Sequence, residues 1–406
     1  MAMNFGMGGL AANPLASPEA RENPHPFYAM ARQAMPLLYL EQQGLWNAFL
    51  YEDCRTILRD ARRFSSDFSR RLPPDDPRRE RPGMLNSDPP RHTQLRDLVN
   101  KAFTPRMIAQ LEPRIREIAG DLLDAVMPAG RIDLVNDLSY PLPVIVIAEI
   151  LGVPAADRAN FKRWSSEIVA SLGAGVSMDA STVPMQTIEE LRAYFTAIIE
   201  QRRAEPREDL ISALIAAEID GQHLDVQELL NFCILLLVAG NETTTNLIGN
   251  AVRCLLEHPE SFDRLRAQPE LWQPAIEEVL RFRSPVQATV RTATEDVELR
   301  GKTIRAGQAI VVWLASANRD PAEFPDPDRF DVTRQPNRHL AFGLGIHFCL
   351  GAPLARLEAK LVLEAVGRRL PNLRRLDGGK LDPVPGFIMH GVRSLPLVFD
   401  VDKVPA

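Results

Sequence analysis

Residues 342–351 read Phe342-Gly343-Leu344-Gly345-Ile346-His347-Phe348-Cys349-Leu350-Gly351, a single cysteine held in a glycine-hinged loop. The residues that follow, 352–370, place Leu354, Leu357, Leu361, Val362 and Ala365 on one face of an amphipathic helix. The first N–H groups of a helix have no partner inside it, and the helix dipole favours negative charge there. This position therefore predicts a stabilised thiolate at Cys349, able to ligate a metal. Gly343 and Gly345 predict a tight turn, and Gly351 lets something flat and bulky come close to the backbone. Taken alone, the loop is also compatible with a buried structural cysteine. It is not a dinucleotide loop, because Phe348 stands where the third glycine of G-x-G-x-x-G is needed.

The chain has 406 residues, 45% hydrophobic and 25% charged, the profile of a globular protein with length for a large core. With no Gly/Ser linker, low-complexity tract or internal repeat, residues 1–406 read as one domain, of which 1–23 form a loose N-terminal arm. A net charge of −6 gives no reason to expect nucleic acid as partner. Cys54, Cys233, Cys254 and Cys349 are far apart and lack a C-x-x-C pair, which argues against disulfides and zinc and suits a reducing compartment. The N-terminus lacks a signal-peptide pattern, and the most apolar run, 229–239, is too short to span a bilayer. A cytoplasmic location without membrane attachment is expected.

Residues 26–34 read as a helix, 36–50 as two short strands around Gly44, and 51–60 as helix again. The Arg, Asp and Pro composition of 65–82 predicts a surface loop. Asp88-Pro89-Pro90 then opens a helix on which His92 and Arg96, four residues apart, share a face suited to an anionic group. From 105 to 218 amphipathic helices alternate with breaks at 128–130, 152–154 and 173–175. Residues 225–258 read as one long helix, apolar nearly all round and so central. At Ala239-Gly240-Asn241-Glu242-Thr243-Thr244 its character changes, with small residues, a carboxylate and hydroxyls at mid-helix. A local conflict of that kind inside a buried helix marks function. Residues 274–283 form the next strong helix, 297–312 short antiparallel strands, and 381–399 a final hairpin.

Phe-Gly-x-Gly-x-His-x-Cys-x-Gly, followed by Ala355 and Arg356, resembles the haem-binding loop of the cytochromes P-450, the haem-thiolate monooxygenases. The likeness extends over about 24–399, with five motifs in order. It implies a mainly α fold with a smaller β-rich part, and haem b between the long helix and the cysteine loop. Cys349 would ligate the iron and favour O–O cleavage. His92, Arg96, Arg291 and His347 would hold the propionates, while Ala239, Gly240, Phe342, Gly343 and Gly351 would lie against the porphyrin. Ala239 to Thr243 matches the family's oxygen-activation motif, on a bulged helix with room for O2. There Thr243 steers protons and Glu242 supplies them. Because both are present, O2 with reductant is expected rather than peroxide.

The resemblance also implies that Glu278-Val279-Leu280-Arg281 locks to Arg329 as scaffold. Loop 65–82 and residues 178–184 would cover a pocket lined by Leu235, Val238, Ala239, Val286, Gln287, Thr289, Ile388 and Met389, suited to a small apolar organic substrate. Electrons would come from a separate ferredoxin or flavodoxin and its NAD(P)H-dependent reductase, docking on Arg96, Lys101, Arg106, Arg356, Lys360 and Arg368. Oxygen insertion leads the possible activities. Oxidative coupling or dehydration on the same fold, and a non-catalytic haem sensor, are the alternatives.

Overall fold

The computed structural model describes residues 15, 17–71, 83–172 and 185–401. The readings of 72–82 as a loop, of 173–175 as a break and of 178–184 as a roof lie outside them, as does most of the N-terminal arm. Helices from along the whole described chain position the site. They are α1 (His25–Ala34), α2 (Tyr51–Arg59), α3 (Arg91–Ala102), α4 (Glu112–Val126), α5 (Pro141–Ile150), α6 (Val226–Glu257), α7 (Trp272–Phe282) and α8 (Ala352–Arg369).

The long helix predicted at 225–258 is α6. Asp225 and Glu228 form a reciprocal capping box, each side chain accepting the other's backbone N–H at 2.9 Å. The helix ends at His258, before Pro259, because the residue ahead of a proline is pushed out of the α region. Leu229, Leu230, Phe232, Cys233, Leu236 and Leu237 bury its first half, and 244–255 are buried throughout. By length and composition α6 could cross a bilayer, which the shorter run 229–239 did not suggest, but 61% of that window is buried inside the protein. It packs against α5, α7 and α8 as a core helix.

Around it one large apolar cluster joins α3 to α8, and a second gathers about the sheet. That sheet has the order β1-β2-β8-β5-β3, from Leu37–Leu40, Leu45–Ala48, Ala309–Val312, Thr289–Ala293 and Phe64–Ser65. Only the β2–β8 pair among these is parallel. β6 (Val297–Leu299) and β7 (Lys302–Ile304) form a hairpin, as the alternation predicted.

Three differences from the sequence reading have physical causes. Residues 381–399 do not form a regular hairpin. Pro383, Pro385 and Pro396 withhold ladder donors, leaving a lone bridge between Pro383 and Val392. Only β10 (Pro396–Val398) is regular, and it pairs with β4 (Arg131–Asp133) and β9 (Arg374–Arg375).

Within the helical stretch 105–218, β4 is followed by a wide π-helical turn, Leu134–Ser139, whose start is capped by the Asp133 carboxylate accepting from Val135 at 3.1 Å. The third arginine at the fully buried Glu278–Arg281 pair is Arg334, 3.2 Å from Glu278, not Arg329. Arg329 offers only its carbonyl, to Arg281 at 3.1 Å, and the turn that points this oxygen inward leaves the side chain 68% exposed beside Asp331.

Candidate functional site

The cysteine loop is a tight structure built on positive-φ glycines. Gly343 and Gly345 sit at φ +70° and +75°, and a Cβ on Gly345 would stand 2.6 Å from the carbonyl oxygen of Leu58 in α2. Only glycine meets both demands. The loop closes by Cys349 N–H donating to the Phe342 carbonyl at 3.0 Å, and α8 starts at Ala352 with Gly351 as its N-cap.

The helix-start N–H groups act on Cys349 in the expected direction, but burial acts against them. Burial raises the Cys349 thiol above its ordinary value, outweighing the helix-start N–H groups of Gly351 and Ala352 and the charges of Arg96 and Arg356, all of which act downward. A metal ion bound by the sulfur would add to the downward influences.

Opposite the loop, α6 exposes Ala239 and half-exposes Gly240 and Thr243, because all three face a cavity of about 300 Å³. The helix is uninterrupted there; Thr243 Oγ1 donates to the Ala239 carbonyl at 2.7 Å. Gly240 serves packing as well as space, since a Cβ would lie 3.1 Å from Cδ1 of Ile147 on α5. Glu242 is not in the cavity lining. Burial raises its carboxyl to about 7, against the opposing hydrogen bond from Asn246.

At one end of the cavity four basic groups meet. His92 is buried, and neither ring nitrogen has a partner within the protein. Its ring lies 4.1 Å from that of His347, whose buried Nε2 is likewise unpartnered. Burial, then the charges of His92, Arg291 and Arg96, push His347 down to about 3. Arg291, on β5, is 8% exposed, and burial lowers it to about 10. Arg96 donates to the Phe348 carbonyl at 3.0 Å. Two partly desolvated guanidinium groups beside imidazole nitrogens that lack a partner call for an anion.

Gly351 completes the cradle, because a Cβ there would find only Cys349 Sγ, at 4.0 Å, and otherwise open space. A flat, doubly carboxylated group with an iron centre fits all these features. Cys349 would hold the metal, Gly351 and Ala239 would admit the ring, and His92, Arg96, Arg291 and His347 would take the carboxylates.

Glu358, in α8, escaped the sequence reading. It is buried, lines the same cavity, is raised to about 8 by burial with Thr244 hydrogen-bonding to it, and has Oε1 without a partner in the protein. The available signal was a carboxylate four residues after Leu354, within the apolar stripe of α8.

Of the expected substrate contacts, Leu235, Val286 and Thr289 line the cavity, whereas Val238, Gln287, Ile388 and Met389 do not. Gln287 turns into the core, accepting from Tyr28 Oη at 2.9 Å and donating to the Ser284 carbonyl at 2.6 Å. Residues 388 and 389 contribute backbone instead, through Gln287 N–H to the Ile388 carbonyl at 2.7 Å and a bridge from Met389 to Val286. Met84 and Leu85, Phe232 and Leu236 take their places in the lining. Of the expected docking cations, Arg96 and Arg356 point inward and Lys360 lies 3.7 Å from Glu364, whereas Lys101, which donates to the Glu218 carbonyl, Arg106 and Arg368 are exposed.

The family profile described as Cytochrome P450 matches residues 15–370. Vitamin D(3) 25-hydroxylase of Pseudonocardia autotrophica is 43% identical, covering 93% of this chain and 94% of its own. The structure of cytochrome P450 CYP109Q5 from Chondromyces apiculatus superposes with a TM-score of 0.87 at 44% identity, covering 95% of this chain and 97% of that one. CYP109E1 from Bacillus megaterium, in complex with testosterone, gives 0.85 at 43% identity, with 93% and 99% coverage. Sequence and fold agree over nearly the whole length, and the chain belongs to the cytochrome P450 family, haem b monooxygenases that act on O2 and an organic substrate with electrons from a redox partner.

Proposed function

We propose that this enzyme inserts one oxygen atom into a C–H or C=C bond of an uncharged, apolar small molecule, with electrons from a separate ferredoxin or flavodoxin. The observation that carries this reading is the distribution of polarity around the cavity. Its ionisable lining residues, His92, Arg96, Arg291, His347 and Glu358, come from α3, β5, the cysteine loop and α8. The α6 stretch, residues 84–85 and residues 285–286 supply Phe232, Leu235, Leu236, Ala239, Val286, Met84 and Leu85, with hydroxyls only at Thr243 and Thr244. A buried charge on a substrate would find no counterion there.

Haem, when bound, supplies the reductive activation of dioxygen. Cys349 would be its proximal ligand, with His92, Arg96, Arg291 and His347 holding its propionates. The apolar residues of α6 and of 84–85 exclude water and orient the substrate by shape. Thr243 lines the cavity, and Glu242, the preceding residue on α6 but outside the lining, has its carboxyl raised by burial to about 7 and can hold and release a proton. Glu358 keeps a proton on the opposite side, next to Thr244. The relatives' names support a multi-ring substrate: one is called a vitamin D(3) hydroxylase, and another was crystallised with testosterone. Four free cysteines suit a reducing compartment, so we place the enzyme in the cytoplasm, working as one domain.

The test is a screen of steroid, macrolide and fatty-acid compounds for low-to-high spin shifts, followed by turnover under ¹⁸O2. One labelled oxygen in the product is expected. An unlabelled coupled or dehydrogenated product would replace this reading with oxidation lacking oxygen insertion.

A further inference from the structure

Arg356 stands seven residues after Cys349, on the first turns of α8, where the sequence suggested a docking cation. The structure turns it inward. Its Nε and Nη2 donate to the two carboxylate oxygens of Glu277, on α7, at 2.7 and 2.8 Å. The guanidinium lies 4.5 Å from the centroid of the Phe342 ring. Glu277 also accepts from His339 Nε2 at 3.0 Å, and His339 Nδ1 accepts the Ala341 N–H at 3.2 Å, which places the ring proton on Nε2.

One carboxylate on α7 thus grips the chain on both sides of the cysteine loop, at residue 339 before it and residue 356 after it. Between these grips sits Phe342, whose carbonyl accepts the Cys349 N–H. The residue whose ring Arg356 covers is thus the one whose carbonyl closes the loop.

From this geometry we infer that the Glu277–Arg356 fork is a positioning device for the cysteine loop: by pinning Phe342 it fixes the orientation of the Cys349 sulfur and so its donation to iron. The inference rests on Cys349 being the proximal ligand. A lysine cannot replace the arginine, because it has neither the two-pronged geometry nor the flat face that lies over the ring. The fork is a poor docking cation for the same reason, its charge being already matched.

The experiment compares Glu277→Gln, Arg356→Lys and Arg356→Gln with Arg283→Lys. This last variant alters a similar two-pronged pair, Arg283 to Glu257 at 3.0 and 2.8 Å, just beyond the end of α7. Readouts are haem content, the reduction potential of the substrate-free enzyme, and the fraction of the reduced CO complex whose band reports protonated thiol.

With haem retained, we expect the potential to shift and that fraction to rise about threefold in Arg356→Gln and less in Arg356→Lys, while Arg283→Lys lowers only the melting temperature. Should Glu277→Gln take up no haem, the charge-retaining Arg356→Lys carries the test. Equal losses of melting temperature in all variants, with potential and CO band unmoved, would reduce the fork to scaffold. If the wild-type CO complex itself lacked the thiolate band, the ligand assignment would fall, a different result from failure of the fork.

Discussion

The two walls of the cavity are built on opposite principles. The cysteine-loop wall is polar in its chemistry and rigid in its backbone: two glycines at positive φ, a cysteine whose N–H closes the loop, and four basic groups, with His92 buried and unpartnered. The α6 wall consists of ordinary apolar side chains on a regular helix, with two hydroxyls, those of Thr243 and Thr244, the first bonded back to its own turn. The first wall is specified atom by atom, and the second only by volume. Substitutions on the loop wall should therefore abolish a property, whereas those on the other wall should grade it.

The largest break is expected at Cys349. Cys349→Ser should eliminate the thiolate-type band of the reduced CO complex, whatever haem remains, since an alcohol is a far weaker donor; a variant that kept the band would identify another ligand. Next comes Arg291→Ala. Removing one charge-assisted partner of a carboxylate costs about 1.5–3 kcal/mol, so haem transfer to apomyoglobin should report roughly 10- to 100-fold weaker retention. Unchanged retention would move the propionates away from this cluster.

On the α6 wall the effects become partial. Thr243→Ala should bind haem normally yet divert reducing equivalents to peroxide or water, lowering product per NAD(P)H by about tenfold. Coupling at the wild-type level would remove the proposed role of the hydroxyl.

That contrast also explains what could be read from the chain before its fold was known. The loop's glycines, cysteine and histidine have fixed spacing because each meets a local geometric demand, and such demands are visible in one sequence. The long helix was equally legible, since its capping box, its apolar run and Pro259 are all local signals. Arg334 was not distinguishable from Arg329, because which of two arginines reaches a buried carboxylate depends on the turn between them. Gln287 looked like a polar handle in an apolar pocket until its partners, Tyr28 from the far N-terminus and the Ser284 carbonyl, placed it in the core. Met84 and Leu85 gave no signal at all, because an apolar residue facing a cavity looks the same in sequence as one facing a neighbour.

Glu242 lies between the two principles, on α6 behind the cavity wall but acting through charge. Burial raises its carboxyl to about 7, so it is protonated below that pH and ionised above it. If it relays protons, product formation should fall as pH rises through about 7, and Glu242→Gln should flatten this limb and lower the plateau by about threefold. The same shift has a stability sign. With its folded-state value above the ordinary carboxylate one, the group's contribution is fully present below about 4.5 and lost as pH rises through about 7, so the amide should also remove that slope from a series of urea midpoints. A limb near pH 7 surviving in the amide would assign it to another group.

The smallest and sharpest comparison pairs two adjacent residues, Val286 and Gln287. Val286 lines the cavity and Gln287 does not. Val286→Ala enlarges the substrate space and orphans no polar group, so the ratio of oxidation products should change by about twofold, with the melting temperature nearly held. Gln287→Ala leaves the Tyr28 hydroxyl without its acceptor in a buried site. It should cost about 1–3 kcal/mol of stability and leave the product ratio as it was. If instead Gln287→Ala redirected oxidation at unchanged stability, that side chain would have to reach the substrate, and the boundary between the apolar wall and the core would have to be redrawn one residue further along.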